Sequence, residues 1–281
     1  NVEQALRSTE EKRDHDRAAG QQAEQARTAA AHAGAAAQAV ELWGQASPTG
    51  ESLYLTRKGI QPYGLRFAPD GWLLVPLRDG DGVLHNLQRI APAKPTGDNP
   101  DKLFLKGGRK AGLWHMLGSV AADGVAGTTG YAGVVLVAEG YATAASLHQA
   151  TGYPVATAFD AGNLEQVAKS LRKLYPLALL VLCGDDDAQT YARTGNNPGR
   201  DKATAAARAV RGLAVFPAPL PADGSDFNDL HQAAGLNAVC AIVQAAIDAH
   251  QASQQAAQAL QTGNLGRAKQ SAPDARHTDT G

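Results

Sequence analysis

Two apolar runs that each stop abruptly at acidic residues constrain the fold of this chain more than any other feature. Residues 134–138 read Val-Val-Leu-Val-Ala before Glu139, and residues 179–183 read Leu-Leu-Val-Leu-Cys before Gly184 and three aspartates. Short apolar runs that are rich in β-branched residues are typical of buried strands in a parallel sheet. We therefore predict an α/β fold in which both runs are core strands.

The acids that follow these runs predict a cation site. Ligands of open parallel sheets bind at the carboxyl ends of the strands, and these ends carry Glu139 on one strand and Asp185, Asp186 and Asp187 on the other. Alternate residues of an extended strand point the same way, so Asp185 and Asp187 can share a ligand while Asp186 faces elsewhere. Gathered carboxylates repel each other, and Mg²⁺ prefers oxygen ligands. The pattern favours a Mg²⁺ site for phosphoryl chemistry over an acidic loop or an ordinary helix cap.

Later segments add a third acidic element and a basic loop. Asp226 and Asp229, in the sequence Asp-Phe-Asn-Asp, provide the further acid that a two-metal site requires, although acids at a helix start are also ordinary N-caps. Arg200 and Lys202 belong to a polar loop before a predicted helix, where backbone N–H groups and the two cations are able to hold phosphate. A plain turn with a helix cap is the alternative for that loop.

Strand and helix patterns alternate from residue 133 to about residue 250. Such alternation predicts a parallel sheet with right-handed crossovers, flanked by helices. Strands are predicted at 134–138, 154–159, 178–183 and 214–216, and helices at 141–151, 163–175, 202–212, 226–234 and 238–255.

The first part of the chain differs in composition. Residues 1–40 are rich in Ala and Gln and predict a helix with little to bury, anchored at its end by Val40, Leu42 and Trp43. Apolar runs at 54–55, 65–67, 72–77 and 83–87, with Asp-Gly turns at 70–71 and 81–82, predict two hairpins. We expect an Ala/Gln-rich helical extension (1–45), a basic α+β module (46–130) with a Gly-rich linker at 119–132, the parallel-sheet domain (131–250), and a helical end with a tail that is loose from Thr262 (251–281).

Charge and cysteine content limit the classes of function. The formal net charge is −1, so any nucleic-acid surface must be a local patch. The densest basic segment is 102–110, although most charge runs are solvated faces. Only two cysteines occur, Cys183 and Cys240, far apart in apolar runs, and no stretch is apolar and long enough to span a bilayer. We therefore expect a cytoplasmic protein without a membrane partner.

The order of the acidic motifs resembles the Toprim domain, which bacterial primases, topoisomerases and certain nucleases share. The order is Glu139-Gly140 after one strand, Asp185 and Asp187 after a later strand, and Asp226 near the end; Ala188-Gln189 stands where the family has Ala-Gly. The preceding module is similar to the core of plasmid and phage primases, above all the conjugative-plasmid type. The segments that carry this similarity are 54–60, 74–79, 86–90 and 104–108.

The resemblance implies roles for individual residues. It implies that Glu139, Asp185 and Asp187 are catalytic acids that bind Mg²⁺ or Mn²⁺, with Asp226 and Asp229 as further metal ligands. The implied fold is a Toprim-like parallel sheet flanked by helices, after a small basic α+β module and an Ala-rich N-terminal helix. The residues implied or proposed as contacts to nucleic acid or nucleotide are Arg78, Arg89, Lys106, Arg109, Lys110, Arg200 and Lys202.

These expectations lead to a hypothesis of function. We expect a DNA primase, a nucleotidyltransferase that makes short RNA primers on single-stranded DNA from ribonucleoside triphosphates, in plasmid or mobile-element replication or conjugation. We also expect partner domains in a longer parent protein. A Toprim nuclease that uses the same acids with water as the nucleophile is one alternative, and a non-catalytic module that binds single-stranded DNA is another.

Overall fold

The computed structural model describes residues 2–93, 100–120 and 133–270, so residues 121–132 of the predicted linker lie outside the described residues. The chain starts with helix α1, Val2–Gln45, as its Ala- and Gln-rich composition predicts. The last turns of α1 bury Ala35 and Ala39, and the partly buried Leu42 and Trp43 join them against the first sheet. The predicted anchor is therefore confirmed for Leu42 and Trp43, whereas the prediction was wrong for Val40, which is exposed.

Helix α2, Leu53–Lys58, replaces the strand predicted at residues 54–55. Tyr54 and Leu55 are both buried and both belong to the same apolar cluster, which adjacent residues of a helix can do and adjacent residues of a strand cannot. Gly59 ends the helix with a φ of 65°, and its N–H group bonds to the carbonyls of Leu55 and Thr56. The prediction was wrong because two apolar residues are too short a run to distinguish a helix from a strand.

The first sheet has four antiparallel strands in the order β1-β2-β3-β4. Its turns fall at the predicted Asp-Gly pairs, where Gly71 and Gly82 have φ values of 84° and 79° that glycine adopts without strain. The strands are β1 (Arg66–Phe67), β2 (Leu73–Arg78), β3 (Leu84–Ile90) and β4 (Lys102–Phe104).

The second sheet has five strands in the order β5-β7-β6-β8-β9. Strands β7, β6, β8 and β9 are parallel to one another, as predicted. Strand β5 pairs antiparallel with β7 at the edge of the sheet. These strands are β5 (His115–Leu117), β6 (Val134–Ala138), β7 (Val155–Thr157), β8 (Leu179–Cys183) and β9 (Leu213–Val215).

The described residues contain six further α-helices, and five of these match predicted segments to within a few residues at most ends. Two findings differ from the prediction: α5 was not predicted, and α8 continues to Gln270, past Thr262, where a loose tail was expected. No helix in the described ranges is both long and apolar enough to cross a membrane. The helices are α3 (Tyr141–Thr151), α4 (Leu164–Leu174), α5 (Ala188–Thr194), α6 (Pro198–Ala209), α7 (Phe227–Ala234) and α8 (Leu236–Gln270).

Helices cover both faces of the parallel sheet. Leu136 of β6 belongs to the apolar cluster that contains residues of α3, α7 and α8, whereas Val135 and Val137 belong to the cluster with α4 and α6. Burial on both faces explains why the strands are almost continuously apolar instead of alternating.

The two sheets also share a core. The side chains of Leu73, Val75 and Leu77 on β2 belong to the same cluster as Leu136, whereas Leu74 points to the cluster under α1. The antiparallel sheet therefore packs one face on the parallel-sheet region and the other face on α1, which brings the basic segment to the carboxyl edge of the parallel sheet.

Candidate active site

Three of the predicted acids line one cavity at the carboxyl edge of the parallel sheet. Ala138 and Cys183 are direct partners in the sheet, so Glu139 and Asp185 leave neighbouring strands at the same level. Asp226, at the N-cap of α7, joins them in lining a cavity of about 260 Å³. We call this space the carboxylate cavity.

Two glycines allow the approach of Asp185 to its neighbours. A Cβ on Gly184 would lie 2.5 Å from the Cβ of Ala203 on α6, so only glycine fits where the chain leaves β8. A Cβ on Gly199, in the first turn of α6, would lie 2.8 Å from the carbonyl oxygen of Asp185. Both close contacts fix the start of α6 against the backbone that carries Asp185.

Glu139 and Asp185 are partly buried in the carboxylate cavity, and one oxygen of each side chain is fully buried without full compensation. Within the described residues, Oε1 of Glu139 and Oδ1 of Asp185 are buried and have no hydrogen-bond partner. Burial, followed by the charges of Glu139, Asp226 and Asp229, raises the pKa of Asp185 to about 8. Burial and then the charge of Asp160 raise the pKa of Glu139. Unpaired buried carboxylates are costly unless a proton or a cation compensates them.

Asp226 and Asp229 form a capping box at the start of α7. Oδ1 of Asp226 accepts from the N–H groups of Asn228 and Asp229, and Oδ2 accepts from Oγ1 of Thr143 at 3.0 Å. Oδ2 of Asp229 accepts from the N–H group of Ser225 at 2.9 Å. The N-cap interpretation therefore holds for both residues, and Asp226 lines the carboxylate cavity as well.

Asp187 does not line the carboxylate cavity. The chain turns away after Gly184, and Asp187 becomes the N-cap of α5, where its side chain accepts from the N–H and hydroxyl groups of Thr190. These hydrogen bonds lower the pKa of Asp187, which is partly exposed. Asp186 faces elsewhere, as predicted, and accepts from Asn197 and Arg200. The extended geometry assumed for residues 185–187 is therefore not observed, and Asp185 and Asp187 contact different parts of the structure.

A comparison with known proteins identifies the region that contains these acids. Residues 134–237 match the Toprim domain family. This segment is a Toprim domain. The predicted resemblance is thereby confirmed for the part of the chain that carries Glu139, Asp185 and Asp226.

The sequence similarity to known proteins extends beyond the Toprim domain. Two Escherichia coli proteins, each named DNA primase TraC, are 38% identical over 179 residues and 37% identical over 174 residues. These matches cover 63% and 61% of this chain but only 12% and 15% of the relatives, so the chain spans a small part of their length. Among solved structures, the RNA polymerase domain of Mycobacterium tuberculosis primase DnaG is similar at 18% identity and a TM-score of 0.43, covering 78% of this chain and 83% of that chain.

An acid that the sequence analysis missed also lines the carboxylate cavity of the Toprim domain. Asp160 follows β7, which is the third strand to end at this edge of the sheet. Its Oδ1 accepts from the N–H group of Asn163, and its Oδ2 is ion-paired with Lys110. The signal was present, because Asp160 follows a predicted strand just as Glu139 does.

Basic side chains face the same acids. Lys58 and Lys102 line the carboxylate cavity, and the charge of Lys102 acts to lower the pKa of Asp185. The charge of Lys202, which was predicted to contact nucleotide, acts to lower the pKa of Glu139. Arg200 instead pairs with Asp186 and lies 4.3 Å from the ring centre of Phe216. The structure therefore brings Lys202 to the site and commits Arg200 to a neighbouring ion pair.

The other predicted basic contacts lie on the first sheet and on the loop after β4. Arg78 donates to the carbonyl of Gly82 and lies over the ring of Trp43. Arg89 pairs with Asp70 at 2.8 Å. The remaining three belong to the segment after β4, which we call the basic loop: Lys106, Arg109 and Lys110.

The donor atoms of Glu139 and Asp185 are compatible with a divalent cation whose remaining ligands are not protein side chains. No group of three or more His, Cys, Asp or Glu side chains in the described part of the chain is arranged to hold an ion by itself. Mg²⁺ commonly takes one or two protein carboxylates and completes its shell with water and substrate phosphates. Two buried carboxylate oxygens without partners, on Glu139 and Asp185, are the donors that such an ion requires.

Proposed function

We propose that this chain carries the catalytic centre of a DNA primase, which joins ribonucleoside triphosphates into short RNA primers on a single-stranded DNA template. The observation that carries the proposal is a pair of carboxylates inside a Toprim domain, Glu139 and Asp185, each with one buried oxygen that has no hydrogen-bond partner among the described residues. The similarity to two proteins named DNA primase TraC supports primer synthesis, in plasmid or mobile-element replication, over the other activities.

Glu139 and Asp185 would hold Mg²⁺ or Mn²⁺, with Asp226 beside them. When bound, the cation neutralises triphosphate charge and favours in-line attack by a 3′ hydroxyl group. Without a cation, Asp185 retains a proton at neutral pH because its pKa is about 8, and loss of that proton makes both of its oxygens acceptors. Asp187 and Asp229, which cap neighbouring helices, remain predicted members of the site.

Fixed positive charge would orient the nucleotide. Lys58 and Lys102 line the same cavity as the acids, and the charge of Lys202 on α6 acts on Glu139. These lysines would hold the triphosphate while the acids hold the cation, so that charges of opposite sign converge on the reacting phosphate.

The template would lie on the basic loop and the first sheet. Lys106, Arg109 and Lys110 follow β4, and Arg78 and Arg89 lie on β2 and β3. We retain the predicted division at 46–130 and 131–250 and the predicted cytoplasmic location as parts of this proposal. A contact set of this kind positions phosphates without reading base sequence.

Incubation of the full chain with labelled ribonucleoside triphosphates, Mg²⁺ and unlabelled single-stranded DNA tests the proposal. Labelled oligoribonucleotides that depend on template are the expected product. Labelled template in a parallel reaction detects cleavage, and shortened template without primers would assign the same acids to a nuclease. If neither product forms, the result would contradict an enzymatic role for this chain. Nucleic-acid binding would then remain as its function.

Glu139→Gln provides the matched inactive variant, and Glu165→Gln on the exposed side of α4 provides the control for loss of one carboxylate. We expect primer synthesis to disappear in the first variant and to persist in the second. Equal activity in both variants would remove Glu139 from the mechanism.

A further inference from the structure

The ion pair between Lys110 and Asp160 connects the basic loop to the carboxylate cavity. Lys110 belongs to the basic loop, and Asp160 lines the cavity with Glu139 and Asp185. The pair therefore joins a residue predicted to bind nucleic acid to an acid that faces the predicted reaction centre.

The backbone of this connection is fixed independently of the ion pair. The carboxamide of Asn163, which is buried, accepts from the N–H group of Gly112 and donates to the carbonyls of Lys110, Leu113 and Ala158. Asn163 thus holds the end of the basic loop against the end of β7. Because these bonds use only backbone atoms of the loop, the Lys110 side chain can leave Asp160 while the loop stays in place.

The ion pair itself is open to exchange. The side chains of Lys110 and Asp160 are 41% and 36% exposed. Ion pairs at this exposure are weak, because water screens the attraction and two flexible side chains must be ordered. A nucleic-acid strand offers Lys110 a row of neighbouring phosphate charges, and its binding releases counterions, so it can displace a single partly exposed carboxylate.

We propose that the Lys110–Asp160 ion pair is a latch between the basic loop and the carboxylate cavity, and that a phosphate of single-stranded nucleic acid opens it. In the closed state, the ammonium group of Lys110 is paired with Asp160 and is not available to bind a phosphate of the nucleic acid. In the open state, Lys110 binds phosphate, and the carboxylate of Asp160 faces Glu139 without its own counter-charge. The inference rests on the proposed role of the basic loop in binding nucleic acid.

The latch makes a prediction about binding that differs from a general charge effect. If Asp160 competes for Lys110, removing the acid helps binding only while Lys110 is present. If Asp160 merely repels nucleic acid, removing it helps binding by the same factor whether or not Lys110 is present. A double-mutant cycle separates these cases, because it measures the coupling between the two side chains.

The experiment measures the fluorescence anisotropy of a short labelled oligothymidylate with the full chain at low salt. The variants are Asp160→Asn, Lys110→Met and the double variant; Asn at position 160 can still cap the turn that Asp160 begins. We expect Asp160→Asn to lower Kd about threefold in the parent chain and to change it by less than about 1.5-fold in the Lys110→Met background. Asp160→Ser, which also caps, replaces Asp160→Asn if thermal melting shows that the Asn variant is unfolded.

Two controls accompany the cycle. Asp248→Asn removes one exposed carboxylate from α8, and we expect no change in Kd. In a Lys106→Met background, Asp160→Asn should retain its threefold effect, because Lys106 is not the partner of Asp160.

The outcomes divide clearly. An equal gain with and without Lys110, an equal gain in Asp248→Asn, or weaker binding in Asp160→Asn would each overturn the latch. Binding without coupling would leave the proposed primase function intact, because that function is read from primer synthesis. A parent chain that binds no oligothymidylate would overturn both the latch and the nucleic-acid role of the basic loop.

Discussion

The antiparallel sheet and the carboxylate cavity place charge in opposite ways. On the sheet, charged side chains predicted to contact nucleic acid already have protein partners: Arg89 pairs with Asp70 and lies over Trp72, and Arg78 bonds to the carbonyl of Gly82. In the cavity, Glu139 and Asp185 each bury an oxygen for which the described residues provide no partner.

This difference indicates that function depends more strongly on individual side chains in the carboxylate cavity than on individual side chains of the antiparallel sheet. A solvated and partnered charge can exchange its partner at little cost, so the loss of one such charge is tolerated. A buried charge without a partner destabilises the protein until a proton or ligand compensates it, so its removal affects both activity and stability. Substitutions in the two regions should therefore differ in size and also in sign.

The largest effect is expected for Asp185→Asn. Primer synthesis should fall on the order of 100-fold or more, because a cation ligand is lost. The melting temperature should stay the same at neutral pH, where Asp185 keeps its proton, and rise above about pH 8, where the Asn side chain replaces a partly buried charge. Asp187→Asn is the matched comparison, and we expect a much smaller loss of activity because Asn also caps α5. Equal losses in the two variants would place Asp187 at the reaction centre after all.

The second effect is a dependence of stability on pH. Asp185 has an ordinary pKa of 3.8 and a pKa of about 8 in the folded chain, so the folded state binds the extra proton between these values. Its contribution to stability is therefore present at acid pH and is lost as the pH rises from about 4 through about 8. Urea unfolding of the parent chain and of Asp185→Asn at pH 5 and pH 8.5 should differ by roughly 2–4 kcal/mol in their pH response.

Mg²⁺ should reverse this loss, because it replaces the proton as the compensating charge. We expect stabilisation by millimolar Mg²⁺ to be larger at pH 8.5 than at pH 5 and to be weak in Asp185→Asn. An identical pH response in the parent and the variant would show that Asp185 titrates normally, and the contrast between cavity and sheet would then disappear.

The third effect concerns the basic loop. Replacing Lys106, Arg109 and Lys110 with Ala should weaken the binding of single-stranded DNA about equally for all sequences, because phosphate contacts carry no sequence information. The slope of log K against log salt should flatten by about 2, since each phosphate contact on a single strand contributes about 0.7. Lys173→Ala, on the exposed side of α4, is the control. An unchanged slope would move the nucleic-acid path to the start of α6, which contains Arg200 and Lys202.

The smallest effect is expected where a charge is exposed and paired. Asp70→Ala removes the ion pair with Arg89, in which the Asp70 side chain is 55% exposed. The free energy of unfolding should change by less than about 0.5 kcal/mol, as measured by urea denaturation. A loss several times larger would mean that the antiparallel sheet depends on its ion pairs as strongly as the cavity depends on compensation.

The parallel-sheet region was predictable because its signals are local and agree with each other. Short, continuous apolar runs identify β6 and β8, and α3 was predicted with its observed bounds, Tyr141–Thr151. Glu139 and Asp185 could be assigned to one edge because the carboxyl ends of neighbouring parallel strands must meet there. Only fold-level rules were needed for that step.

The rest of the site depends on where the chain bends, which a pattern of apolar residues does not encode. Asp187 was grouped with Asp185 by assuming that the strand continues past Gly184, whereas close packing against α6 ends it there. Asp160 was missed although it follows a predicted strand, because its closeness to Lys110 arises from long-range contacts through Asn163. Such contacts join residues that are far apart in sequence.

The shared core has a consequence for how this chain can be divided and recombined. Leu73, Val75 and Leu77 of the antiparallel sheet pack in one cluster with Leu136 of the Toprim domain. A graft of residues 134–237 alone onto another scaffold would expose that apolar face to water. A transplanted segment would therefore have to include β2 and its neighbouring strands. The two sheets must be transferred together, although only one of them carries the acids.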